Sequence, residues 1–244
     1  TGNKPLFDAH NKRDGYFWVE PSDKLSVENL TLKVLDYIGE FEKPFYIKFE
    51  EALCAHSRAS KIGCTRCLDV CPTGAITTNV DSVAIDPNIC AGCGACATVC
   101  PTGAATYDDP PFNFLINRIK TLGDSFSKIE KKSKRLLFHD DVFGSELISL
   151  SARFGQGLPS DVIPVNLPNI ETIGHSEILS SLALGFSEIF LLQSLKTDVV
   201  ALDSQIQLAK TILEGTGHQV GRIKLIHPRD PSELERILYN QEFD

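Results

Sequence analysis

Eight cysteines fall between positions 54 and 100 of this 244-residue chain, and none lies outside that stretch. Thiols can pair as disulfides, act as nucleophiles or bind metals, and their distribution separates these uses. A disulfide-stapled secreted protein spreads its cysteines through the fold, so this crowding argues against one. The run Cys90-x2-Cys93-x2-Cys96-x3-Cys100-Pro101 is the spacing that supplies three thiolates to one 4Fe-4S cube and a fourth to its neighbour. Ligands two residues apart wrap a tight loop round one face of a cube, and the remote Cys before Pro leaves the loop. The small residues Ala91, Gly92, Gly94 and Ala95 let backbone N–H groups approach the sulfurs, and such hydrogen bonds help set a potential.

An internal repeat of 29 residues relates an earlier segment to this run. Cys64, Cys67, Cys71, Pro72, Thr73, Gly74 and Ala75 map onto Cys93, Cys96, Cys100, Pro101, Thr102, Gly103 and Ala104. The same offset sets Lys61, not Cys, opposite Cys90, but Cys54 stands seven residues upstream with a similar lead-in, Phe49 to Leu53 against Ile85 to Ile89. The reading is that Cys54 is the missing ligand and that seven residues were inserted after it. Two alternatives stay open here. Zinc uses the same residue type, although its structural sites favour paired CxxC knuckles. If Cys54 does not ligate, the first site holds a 3Fe-4S centre. His56, Arg58 and Lys61 in the insertion are cations beside a negative cluster, raising its potential or meeting a partner, or else a solvated loop.

Over residues 46–108 these motifs resemble the bacterial two-cluster ferredoxin family. The resemblance implies a pseudo-twofold α+β module with two 4Fe-4S clusters, and crossed ligation: Cys54, Cys64, Cys67 and Cys100 round one, Cys90, Cys93, Cys96 and Cys71 round the other. It also implies one-electron transfer, and leaves no thiol for catalysis.

The elements around this module follow from periodicity. Residues 1–45 form an extension with a helix expected over 26–41, its Val27, Leu30, Val34, Leu35 and Ile38 packing on the module and Ser22 or Ser26 capping it. Trp18 is expected as a core or interface anchor. After the module (46–109), Pro110-Pro111 precedes a helical linker (110–134), with a helix over 112–132 and a basic tail, 128–135, read as a solvated face. From 135 to 244, strands over 136–139, 162–167, 188–192 and 222–226 alternate with helices over 144–154, 175–184, 204–214 and 232–239. Gly155, Gly185 and Gly215 mark helix stops. That alternation predicts a small α/β domain, a parallel sheet covered on both faces.

Over 135–228, through Ile178-Leu179, Ala183-Leu184-Gly185 and Ile189 to Leu192, this part resembles the delta subunit family of methyl-viologen-reducing hydrogenase. The resemblance implies a flavodoxin-like domain found beside iron-sulfur proteins. Members carry cysteines at strand ends where this chain has none. Ligands of such sheets bind beyond the C-terminal strand ends, here His139, Asp140, Asp141, Asn169, Gln193 and Ser194. No GxGxxG or P-loop is present, and acids follow the first strand, so flavin or nucleotide binding is not expected.

A formal charge of −8 disfavours nucleic acid and anionic membranes and favours a basic patch on a redox protein. No segment has the length of a membrane span and no signal-peptide order opens the chain, so no membrane insertion and a cytoplasmic location are expected. The absence of Met, even at position 1, is what a chain excised from something longer would show. The combined expectation is an electron-transfer protein or subunit serving a dehydrogenase or hydrogenase, formate dehydrogenase foremost. The rivals are a flavin- or nucleotide-binding oxidoreductase and an iron-sulfur maturation factor or redox sensor.

Overall fold

The computed structural model describes residues 5, 15–40, 42–58, 61–130, 132–194 and 197–239. Helix α1 (Lys24–Leu35) starts on Asp23, whose carboxylate accepts the Ser26 N–H at 3.2 Å, so neither expected serine is the cap. It buries none of its residues, contrary to the expected packing. Leu25 and Leu32 lie on one side of the helix and Val34 on the opposite side, all exposed, so the apolar residues ring the helix and leave no single stripe to bury. Trp18 is half-buried and borders a hollow with Ser26, Leu30 and Lys33, within the extension itself.

The cysteine-bearing segment carries the sequence repeat into its fold. Strand β1 (Ile47–Phe49) is followed by the small hairpin β2 (Ser57–Arg58) and β3 (Lys61–Ile62), helix α2 (Arg66–Val70), strands β4 (Ile76–Asn79) and β5 (Ser82–Ile85), helix α3 (Ala95–Thr98) and strand β6 (Ala105–Tyr107). β1 pairs with β6 and β4 with β5, both antiparallel. α2 and β4 begin 29 residues before α3 and β6. Phe49 pairs with Ala105 as Ile85 pairs with Ile76. Glu50 N–H donates to Ala104 O as Asp86 N–H donates to Ala75 O, both at 2.8 Å. This register matches Phe49 with Ile85 and hence Cys54 with Cys90. The extra residues form the β2–β3 hairpin, which rejoins the chain where Cys64 N–H donates to Ala55 O at 3.1 Å.

Helix α4 (Phe112–Ile129) leads into strand β7 (Arg135–Asp140), helix α5 (Phe143–Phe154), strand β8 (Val162–Leu167), a 3-10 turn (Ile170–Thr172), helix α6 (His175–Ala183), strand β9 (Glu188–Leu192), helix α7 (Val199–Gly215), strand β10 (Ile223–Ile226) and helix α8 (Pro231–Leu238). The sheet is parallel in the order β10-β9-β7-β8, so the chain reverses direction across the sheet at β7. Central strands β7 and β9 send alternate residues to opposite faces. Leu136, Phe138, Ile189 and Leu191 join α4, α6 and α7 in one core, while Leu137, Phe190 and Leu192 join α5 and α8 in the other. Helices on both faces satisfy the near-continuous apolar runs of such strands.

Three further expectations change. α4 buries Leu115 and Ile119 in the sheet's core, so the stretch expected as a linker is a packed part of the α/β fold. Its basic tail is not all solvated: Lys134 Nζ donates to Gly123 O at 3.1 Å, and Arg135 holds Asp161 at 2.6 Å and 2.9 Å and Leu238 O at 2.8 Å. α7 starts five residues before the expected Ser204, because Asp198 caps Val200 N–H at 3.0 Å and two β-branched residues of low helix propensity hide the first turn.

The Arg135 guanidinium holds the Asp161 carboxyl below the usual carboxylate range, chiefly through their hydrogen bond. A depressed folded-state pKa stabilises the fold above the ordinary carboxylate pKa, and the gain fades as pH falls through the depressed value. Asp161→Asn is therefore expected to cost about 1 kcal/mol at neutral pH, given the partial exposure of the pair, and less as the solution is acidified, measured by denaturant unfolding across pH.

Candidate metal centre

None of the eight cysteines is in a disulfide. They line two small cavities of equal size, about 20 Å³ each. Cys54, Cys64, Cys67 and Cys100 border one, with His56, Arg66 and Val83 among its walls. Cys71, Cys90, Cys93 and Cys96 border the other, with Ile47, Ile76 and Ile85. Each cavity thus takes three cysteines from one motif and one from the other. The cause is local. Helices α2 and α3 carry the middle cysteines of the two motifs and pack on each other, and the Cys-Pro that follows each helix turns the chain toward the opposite cavity. Cys54 reaches the first cavity because the hairpin closes at its base, where His56, 3% exposed, contacts Cys64 O through Nδ1 at 2.8 Å.

The electrostatics report the same neighbourhoods. Burial pushes the Cys67 thiol up to about 11, aided by Cys64, Cys100 and Cys54. Burial likewise pushes Cys93 up to about 12, with Glu171, Cys71 and Cys90 adding to it, and it raises Cys96 with Cys93, Cys90, Cys71 and Cys67 nearby. Four thiolates in so confined a space repel one another unless a cation sits between them, so binding a positively charged core must release protons. At Cys100 burial also opposes the thiolate, but N–H groups of Ala105, Thr102 and Ala104 outweigh it and the net shift is downward. The repeat extends to the hydroxyls, with Thr73 Oγ1 3.7 Å from Cys71 Sγ and Thr102 Oγ1 3.7 Å from Cys100 Sγ.

This donor set fits iron-sulfur clusters: four thiols per cavity, apolar walls, and N–H donors aimed at sulfur. Among the described residues no group of three or more His, Cys, Asp or Glu is placed to hold a metal ion directly; the thiols ring a space rather than a point. Lys61, opposite Cys90 in the repeat, stands exposed on β3, and the Arg58 side chain lies outside the described residues.

Of the six strand-end residues expected to meet a ligand of the sheet, four are engaged in their own loops, while Asp141 stands exposed and Gln193 half-buried. His139 is buried, with Nδ1 3.0 Å from Asp140 O; Asp140 accepts the Gly144 N–H at 2.7 Å; Asn169 caps the 3-10 turn; Ser194 N–H donates to Thr197 Oγ1 at 3.1 Å. Burial depresses the His139 pKa. A larger opening lies elsewhere, one cleft of about 550 Å³ between Cys100 and Pro101 on one side and His175, Glu177 and Gln205 on the other. His175 Nδ1 meets Gln205 Oε1 at 2.8 Å, and burial raises the Glu177 carboxyl, which accepts the Gly174 N–H at 2.8 Å. No periodicity or motif marks these residues, or Thr172, which meets the cysteine-bearing segment at Gly94, and Glu171 beside it. Only the meeting of two segments distant in sequence reveals them.

A family described as a 4Fe-4S dicluster domain matches residues 62–104, a span with seven of the eight cysteines. Cys54 lies before it. No curated protein matches the chain. No helix among the described residues is long and apolar enough to cross a membrane. The chain carries a 4Fe-4S dicluster domain joined in sequence to a four-stranded parallel sheet flanked by helices, and the domain supports an iron-sulfur electron-transfer role.

Proposed function

We propose that this protein is an electron carrier or accessory redox subunit that holds two 4Fe-4S clusters, one by Cys54, Cys64, Cys67 and Cys100, the other by Cys90, Cys93, Cys96 and Cys71. The observation that carries this reading is the sorting of all eight thiols into two equivalent shells of four. A 4Fe-4S cluster supplies uptake and release of one electron at a time. The chain's own residues bind it as thiolates, donate N–H groups to the sulfurs, as Ala105 does to Cys100 at 3.5 Å, and exclude water with Ile47, Ile76, Val83 and Ile85. With every thiol used as a ligand, catalysis belongs to a partner redox enzyme of the dehydrogenase or hydrogenase class, and a formate dehydrogenase is the first to assay for electron exchange.

Anaerobically loaded protein is expected to contain about eight irons and eight sulfides per chain and to show no 3Fe signal by EPR when oxidised. About four irons would remove the two-cluster reading, and an oxidised 3Fe signal would remove Cys54 from the ligands. A second reading, in which a flavin or nucleotide exchanges electrons beside Cys100, draws on the cleft that reaches that residue. A flavin absorption band or nucleotide copurifying with the protein would favour it.

A further inference from the structure

The two thiol-lined cavities are alike in their cysteines and unlike in their surroundings. The cavity of Cys71, Cys90, Cys93 and Cys96 faces the α/β fold. Gly94, at φ +85°, has Thr172 against it so closely that a Cβ there would lie 2.6 Å from Thr172 Cγ2. The residue before Thr172 is Glu171, 2% exposed, whose carboxylate accepts the Asp198 N–H at 2.5 Å. The turn that carries Glu171 and Thr172 packs on helix α3, which begins two residues after Cys93, and this brings the Glu171 charge to bear on Cys93. The other cavity meets different chemistry: Arg66 lines it and, among the described residues, no carboxylate does, while a backbone N–H meets a sulfur in both, Ala105's at Cys100 and Ala95's at Cys93.

Reduction adds one negative charge to a site. A carboxylate in a buried, weakly polar position opposes that charge far more than one in water does, whereas N–H donors and cations favour it. We propose that Glu171 makes the Cys71–Cys90–Cys93–Cys96 site the more reducing of the two, so that an electron on the protein settles at the Cys54–Cys64–Cys67–Cys100 site and leaves from there. The α/β fold thereby acts as an electrostatic cover that gives electron flow through the module a direction. This inference rests on the reading that both sites hold 4Fe-4S clusters. Whatever else Glu171 touches, removing its charge acts in the same sense, and Gln can still accept the Asp198 N–H.

EPR-monitored redox titration of the loaded full chain tests the proposal, with iron content checked in every sample. The wild type is expected to reduce in two separate one-electron waves. Glu171→Gln should raise the more negative one by roughly a tenfold change in the oxidised-to-reduced ratio, about 59 mV for one electron. Glu171→Asp, which keeps the charge, should leave it in place, and Arg66→Gln should lower the more positive wave. The proposal is overturned if the wild type shows a single wave, if Glu171→Gln leaves both waves unmoved at full iron content, if Glu171→Asp shifts potential as Gln does, or if the Glu171 and Arg66 variants move the same wave. Should Glu171→Gln fail to load, the wild-type separation and the wave moved by Arg66→Gln still decide. A wild type that binds no cluster brings down the underlying reading and this one with it, an outcome the iron assay distinguishes from the others.

Discussion

Cys71→Ser together with Cys90→Ser is expected to leave about half of the wild-type iron, while Cys71→Ser together with Cys64→Ser is expected to leave almost none. Each substitution alone should remove about half, because a cube that loses a thiolate from so confined a shell is destabilised as a whole. The pairs carry the information. Cys71 borders the same cavity as Cys90 and a different one from Cys64, although it shares a motif with Cys64. Substitutions at one site do not add, and those at two independent sites do. Ligation within each motif would reverse the two results, with the Cys71–Cys64 pair retaining iron and the Cys71–Cys90 pair losing it. Iron and acid-labile sulfide counts on protein loaded in parallel read the outcome directly.

Gly94→Val is the substitution outside the cysteines with the largest expected effect. The backbone there is left-handed, at φ +85°, which costs an L-residue roughly 1–2 kcal/mol. The side chain would also meet Thr172 at 2.6 Å, and forcing extra carbon into a packed contact costs about 1–3 kcal/mol more. Unfolding by denaturant should show the sum of the two terms. Because Gly94 follows Cys93, part of the iron held by the Cys71–Cys90–Cys93–Cys96 shell should be lost as well. Thr172→Ala in the same background removes the 2.6 Å contact with Cγ2 but leaves Cα at 3.0 Å and Cβ at 3.2 Å, so it is expected to restore part of the steric loss and the double variant falls between the single variant and wild type. Full recovery would mean that neither the left-handed backbone nor the remaining contacts contribute, and no recovery would mean that the Cγ2 contact contributes nothing.

Much of this arrangement was legible from residue order. The 29-residue repeat is a property of the sequence, and a repeated sequence that folds into a repeated unit brings its hydrogen bonds with it, as at Glu50 and Asp86. The four parallel strands announced themselves as short apolar runs, because strands buried on both faces need no polar alternation. All four have the expected ends to within one residue, β8 and β9 with no difference at all. The helix of the N-terminal extension does not pack as its spacing suggests, because Leu25 and Leu32 stand on the side opposite Val27, Leu30 and Val34 and apolar residues on both sides define no face to bury. The packing of residues 110–134 is not visible in the sequence, because a charged tail reads as solvent-facing whether or not its cations find carbonyl and carboxylate partners, as Lys134 and Arg135 do.

The chemistry of the site belongs to the sequence: thiolate type, number and spacing restrict the ligand to a few metal centres, because coordination depends on local chain geometry that a short motif specifies. The division of the eight thiols between two cavities, the hairpin that delivers Cys54, the cleft beside Cys100, and the placing of Glu171 and Thr172 against Cys93 and Gly94 belong to the tertiary structure. Each depends on contacts between residues far apart in the chain, and no local pattern carries the information about which buried surface will meet which.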